Sequence, residues 1–222
     1  MESPSSKPEP IVPLQPFYMI RHGQTVMNAK RLTCGGGIDT ELNDEGRRQA
    51  YEAARVLSDL PEKPTLIIHS DMLRTRQTTE ILNAGLGLPV TSDNDLREHM
   101  MGEWESKPWD EVFPFLHGDT KPAGGESRHE FGARVRAAMT RQLLAHASER
   151  VLFVGHGGTF HSFQLIHGRD RRVFIPNATL HRFDPEPAHD PMPWKVTLYE
   201  WKNSLRSGPA PICPSLPDPI KQ

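Results

Sequence analysis

Three short apolar runs constrain this chain more than any other feature. Phe17-Tyr18-Met19-Ile20, Leu66-Ile67-Ile68-His69 and Val151-Leu152-Phe153-Val154 each stop abruptly, at Arg21-His22-Gly23, at Ser70-Asp71 and at Gly155-His156-Gly157-Gly158. Runs that lack polar alternation read as strands covered on both faces, the habit of parallel sheets. Helix patterns lie between them. Ala50, Ala53, Ala54, Leu57 and Leu60 recur at intervals of three and four behind Asn43 or Asp44, either of which can cap a helix. Ser70 or Asp71 can cap a second helix running through Leu82. Phe131, Val135, Ala138, Met139, Gln142 and Leu143 mark one face of a third, from Ser127 to Ala147. Alternating strands and helices predict an α/β fold, with a mostly parallel sheet covered on both faces. Thr179 to Phe183 and Trp194 to Trp201 read as later strands, and the second, rich in aromatic residues, is a candidate contact for a homodimer.

Proline marks the limits of that core. The chain has 222 residues and 21 prolines, of which five fall in residues 1–16 and nine in 185–222. This division predicts a proline-rich extension (1–16), one globular domain (17–202) and an irregular proline-rich tail (203–222). No apolar run is long enough to span a membrane. Met1 to Pro16 lacks the basic start and apolar stretch of a secretory signal. A net charge of −2 offers no electrostatic footprint for nucleic acid or an anionic membrane. Cys34 and Cys213 could pair, but two cysteines make no disulfide framework, so the expected setting is reduced and cytoplasmic.

Open α/β sheets bind ligands beyond the carboxyl ends of their strands, and that edge is where this sequence gathers its ionisable residues. Arg21 and Arg74 offer planar, permanently charged forks for phosphate oxygens. Arg74 falls in the first turn of its expected helix, whose amino end also favours an anion. Asn28 can donate an amide hydrogen. His22 and His156 stand among these cations, which push an imidazole toward its neutral, nucleophilic form. Gly23 and the glycines around His156, Gly157 among them, leave room for close approach. Glu98, in Asp95-Leu96-Arg97-Glu98, is the best carboxyl candidate for protonating a leaving oxygen.

These residues fall into blocks. Arg21-His22-Gly23-Gln24-Thr25-Val26-Met27-Asn28 resembles the Arg-His-Gly-x-Thr-x-x-Asn signature of the histidine phosphatase superfamily, the phosphoglycerate mutase-like family. The resemblance continues in family order through Gly36-x-x-Asp39-x-x-Leu42 and Asn43 to Gly46. Ser70-x-x-x-Arg74-x-x-x-Thr78 and Leu96-Arg97-Glu98 with Gly102-Glu103-Trp104-Glu105 come next. Gly125-Glu126-Ser127, Val154 to Gly158 and Asn177-Ala178-Thr179 complete it, so that it covers residues 17–184. It implies a phosphoglycerate mutase-like three-layer α/β/α sandwich and a phosphomonoesterase that works through a phosphohistidine. His22 would be the nucleophile. Arg21, Arg74 and His156 would hold the phosphoryl oxygens with help from Asn28, and Glu98 would be acid and then base. It implies no metal and no cofactor. Its substrate would be a small-molecule phosphate ester or a phosphorylated protein.

Within the family, the stretch between Glu98 and Glu126 favours phosphatase over mutase: it is aromatic and acidic, and only Lys107 and Lys121 are basic besides histidine. Mutase-type transfer is the alternative inside the family, and a non-catalytic phosphate-binding or interaction module the alternative outside it. Ser106 stands where the family commonly has glycine. The remaining histidines have plainer readings. His69 is expected to be a hydrogen-bonded core residue, and His161, His167 and His181 to be structural or exposed. His99 and Met100-Met101 either line the pocket or pack. Arg169 to Arg172 reads as a solvated turn. Cys34 is either a thiol activated by nearby arginines or a passive small residue, the second reading being preferred. No short His-x-x-x-His spacing at His22 or His156 points to zinc.

Overall fold

The computed structural model of the chain describes residues 11–118, 120–169, 173–187, 192–202 and 204–210. The expected first three strands are β1 (Phe17–Arg21), β2 (Leu66–His69) and β4 (Val151–Gly155). Along the chain β3 (Val90–Ser92), a short and exposed edge strand, comes between β2 and β4, and the sheet continues into β5 (Leu180–Pro185), β6 (Trp194–Trp201) and β7 (Leu205–Pro209). The order across this seven-stranded sheet is β3-β2-β4-β1-β5-β6-β7. It is a mixed sheet: β3, β2, β4 and β1 run parallel, while β5, β6 and β7 join antiparallel.

The apolar runs alternate faces with period two, as a doubly covered strand must. Phe17, Met19, Leu66, Ile68, Val151 and Phe153 face one core, with α5 (Arg128–Ala145) and α6 (Gly157–Ile166) over them. Tyr18, Ile20, Ile67, Leu152 and Val154 face the other, under α2 (Asp44–Asp59) and α3 (Leu73–Asn83). The three layers are therefore those expected. Aromatic packing dominates the first core: the Phe17 ring stacks on Phe183 at 4.7 Å and meets Phe153, Phe163 and Trp194 edge-on. Truncating Phe17 there would cost about 3–5 kcal/mol.

Three local expectations change. Ser70 and Asp71 do not cap α3, which starts later with Met72 in the N-cap position. Its Leu73 N–H instead donates to Asp39 Oδ1 at 2.7 Å, a cap supplied from 34 residues away, while Asp71 pairs with Arg97 at 2.6 Å. The segment expected to be an irregular tail begins with β7, paired along β6. β6 thus lies between two strands rather than at an edge. At the other end, Val12 of the proline-rich lead-in is buried in the first core. Residues 1–10 and 211–222, with Cys213, and Asp170 to Arg172 of the charge run lie outside the described residues. Among the described residues, no helix is long and apolar enough to cross a membrane.

Candidate active site

Strand register brings the distant blocks together. β1 and β4 are parallel neighbours with Arg21 opposite Gly155, so the next residues, His22 and His156, emerge side by side. The His22 N–H donates to Gly155 O at 2.9 Å, and the Ser70 N–H at the end of β2 donates to Val154 O at 3.1 Å. The His22 and His156 ring centroids lie 5.3 Å apart. After His22 the chain turns into α1 (Val26–Ala29), capped by Thr25. Gly23 and Gly46, the latter in the first turn of α2, meet so closely that a Cβ on Gly23 would lie 2.3 Å from Gly46 O.

A cavity of about 540 Å³ opens over these strand ends. Arg21, His22, Asn28, Arg74, Glu98 and Gly157 all line it. His156 is fully buried behind His22 and does not line the cavity. Six of the seven residues expected from sequence therefore share the cavity, and the seventh sits beneath it.

The histidines stand in a cationic, dry setting. Burial first, then Arg74 and Arg21, holds His22 well below the usual imidazole range. Its Nδ1 lies 2.7 Å from Gly23 O. A carbonyl only accepts, so Nδ1 carries the proton and Nε2 keeps its lone pair. Gly23 is in turn fixed by Thr78, whose Oγ1 accepts its N–H at 3.1 Å, and Asn177 Nδ2 donates to His22 O at 2.9 Å. Burial, with Arg74, His22 and Arg21 adding to it, likewise keeps His156 neutral. Arg21 is lowered only to about 10, by burial and Arg74 against the pull of Glu98, and so stays charged. Arg21 Nη1 donates to Ile175 O at 2.6 Å. Arg74, 1% exposed, donates to Ile38 O and Gly35 O at 3.0 and 2.9 Å. It is thus buried rather than paired with a surface carboxylate. Arg21 Nε, Arg74 Nε and both His156 ring nitrogens have no hydrogen-bond partner among the described residues.

Glu98 approaches from the other side of the cavity. Its carboxylate accepts from the His99 N–H at 2.9 Å and the Gly158 N–H at 3.1 Å, at the amino end of α6. Gly158 has no room for a side chain: a Cβ there would lie 2.0 Å from Glu98 Oε1 and 2.9 Å from the Phe131 ring. Asn28 spends its Oδ1 on the Thr25 N–H, which leaves its amide hydrogens for the cavity.

Other residues have sharper places than their sequence readings gave. His99 lines the cavity while stacking on Phe131 at 5.0 Å. His161, read as structural or exposed, lines the cavity too, its Nε2 2.9 Å from Val173 O. His69, His167 and His181 are buried and bonded to backbone carbonyls. Cys34 is not an activated thiol: burial outweighs Arg74 and raises its pKa, and its Sγ donates to Ile38 O. Trp109, Phe113 and Leu116 form one apolar wall of the cavity, and Val173 and Phe174 another. Motif spacing carried no sign of Arg134, which braces the Glu98 segment through helix α5.

A parallel half-sheet that brings two neutral histidines and Arg21 to its carboxyl edge, beside Arg74 from the first turn of α3, defines a phosphate-handling α/β enzyme. The family follows from comparison. A model of the histidine phosphatase superfamily (branch 1) matches residues 17–189, and the chain belongs to that superfamily. Probable phosphoglycerate mutase GpmB of Yersinia enterocolitica is 34% identical over 192 residues, 80% of this chain and 86% of that protein. Phosphoglycerate mutase-like protein 4 of Arabidopsis thaliana is 35% identical over 156 residues, 65% of this chain and 67% of that protein. Among solved structures, a mycobacterial glucosyl-3-phosphoglycerate phosphatase in complex with VO3 superposes with a TM-score of 0.70 at 27% identity, covering 84% of this chain and 98% of that one. The chain is an enzyme of the phosphomonoesterase class.

Proposed function

We propose that this enzyme hydrolyses phosphomonoesters in two steps through a phosphohistidine on His22. The observation that carries the reading is His22 itself: neutral, its Nδ1 proton committed to Gly23 O, and the lone pair of its Nε2 kept in a cavity that Arg21 and Arg74 also line. Nε2 attacks phosphorus as the ester P–O bond breaks, and the departing oxygen takes the Glu98 proton. Water then attacks phosphorus, giving a proton to the Glu98 carboxylate, and the N–P electron pair returns to Nε2. Arg21 and Arg74 carry the charge of the transferring group, with Asn28 as a further donor, while neutral His156 packs edge-on against the His22 ring from beneath. The Nε atoms of Arg21 and Arg74, which have no partner among the described residues, support that role.

On this reading the substrate is a small-molecule phosphate ester or a phosphorylated protein, the setting is the cytoplasm, and neither nucleic acid nor a membrane is a partner. Turnover of a radiolabelled aryl phosphate should leave label on the denatured protein that is stable in base and lost in acid. His22→Ala should abolish both the label and phosphate release; full turnover by that variant would overturn the mechanism. Release of inorganic phosphate, rather than a second ester, separates hydrolysis from mutase-type transfer.

A further inference from the structure

Glu98 sits in a segment with little regular structure of its own beyond the short 3-10 turn Asn94–Leu96. A single side chain from another layer ties that segment down. Arg134, on α5, donates from Nη1 to Asp95 O at 2.9 Å and to Arg97 O at 3.0 Å, and from Nη2 to Glu98 O at 3.3 Å. Its Nε and Nη2 also meet the two carboxylate oxygens of Glu126, the first at 3.2 Å. Glu126 holds the other side of Glu98. Its Oε1 accepts the Met100 N–H at 3.0 Å, its own N–H donates to Met100 O at 2.9 Å, and its carbonyl oxygen lies 2.7 Å from His99 Nε2. The pair is largely shielded, with side chains 21% and 15% exposed.

We infer that Arg134, paired with Glu126, is the positioning residue that aims Glu98 at the leaving oxygen. A planar guanidinium with donors in a fixed fork sets the plane of three carbonyls at once, which a lysine cannot do. The Glu98 carboxylate is anchored by its neighbour's N–H and by Gly158, so its aim depends on the backbone at residues 97–99. Removing Arg134 would strand three carbonyl oxygens and the Glu126 charge in a poorly solvated place. Arg134 touches no reacting atom, and its action runs through Glu98. The inference rests on Glu98 being the proton donor.

The test compares two esters in the full-length protein: nitrophenyl phosphate, whose leaving group departs unaided, and an alkyl phosphate, which needs protonation. kcat/KM reads the first phosphoryl transfer alone. Arg134→Lys should lose about 100-fold on the alkyl ester and less than about 3-fold on the aryl ester, the cost of a misplaced catalytic group. Glu98→Gln should show the same selectivity, and the double variant should lose no more than Glu98→Gln alone. Equal losses on both esters for Arg134→Lys beside a selective Glu98→Gln overturn the positioning role and leave the acid assignment standing. Equal losses for Glu98→Gln overturn both. If Arg134→Lys does not fold, Glu126→Gln, which keeps an acceptor for the Met100 N–H, is judged by the same ratio.

Discussion

The floor and the roof of the cavity are built on different principles. The floor is sheet: Arg21, His22 and His156 take their places from the register of β1 against β4. Its histidines are buried and Arg21 is half-buried, and part of the hydrogen-bonding capacity of Arg21 and His156 has no partner among the described residues. The roof, residues 98–118, is loop, short turns and the one-turn helix α4 (Trp109–Val112), held by scattered bonds. Thr33 Oγ1 donates to Lys107 O at 2.9 Å, the Trp109 N–H to Arg31 O at 2.8 Å, and Glu105 Oε1 accepts the Gly37 N–H at 2.9 Å. It carries its own small core of Met101, Trp104, Val112 and Leu116, yet leaves Phe113 and Phe115 exposed. The difference teaches where chemistry and selectivity reside. A phosphoryl group needs fixed charges that do not reorganise, which a sheet edge supplies; an alcohol of varying shape needs adaptable apolar walls, which loops supply.

The sharpest way to break this contrast is at Gly158, where floor meets roof. Gly158→Ala should cut kcat/KM on an alkyl phosphate by about 100-fold, because the new methyl displaces Glu98. Gly157→Ala, whose Cβ would lie 3.5 Å from Arg21 Nε, should stay within a few-fold. Equal losses for the two would mean that crowding at Glu98 does not govern the site.

Acid should strike the core and the floor before the roof. His22 and His156 are held low by burial, and His181, buried against Phe160, is held at about 4. Because these folded-state values lie below the unfolded one, the unfolded chain binds more protons between them. Stability is therefore complete above about 6.5, the ordinary histidine value. It should fall as pH drops from there toward about 4. Urea midpoints should decrease across that window, and His181→Phe should flatten the decrease; a midpoint constant with pH would contradict the buried neutral state.

The smallest effect belongs to the roof alone. Ser106 has φ +66°, the left-handed conformation that glycine adopts without strain, and its N–H donates to Thr33 O at 2.8 Å. Ser106→Gly should raise stability by about 0.5–1 kcal/mol, the relief of left-handed strain less the entropy glycine loses. A melting temperature that falls would show that the serine side chain contributes more than its backbone costs.

Much of the floor was legible in the sequence because each of its residues follows an apolar run whose end is visible without neighbours. Arg21-His22 and His156 needed only the expectation that strand ends share an edge. The helix faces of α2 and α5 were equally plain, since Asn43 and Ser127 cap them locally, through Gly46 and Glu130. Where a partner lies far along the chain, the sequence was mute. The cap of α3 comes from Asp39, the brace of Glu98 from Arg134, and β7 forms where proline argued for an irregular tail.

By itself, then, the sequence determined the layers and the placing of His22 among cations at the sheet edge, because period and local capping are properties of a few consecutive residues. Only the tertiary structure decided that His156 lies behind His22 rather than on the cavity wall, that partial burial of Cys34 outweighs Arg74 and raises its thiol pKa, and that Gly158 rather than Gly157 has no space to spare. Those outcomes depend on desolvation and on distances of a few ångströms between segments far apart in the chain, and such quantities come into being only when the layers close on one another.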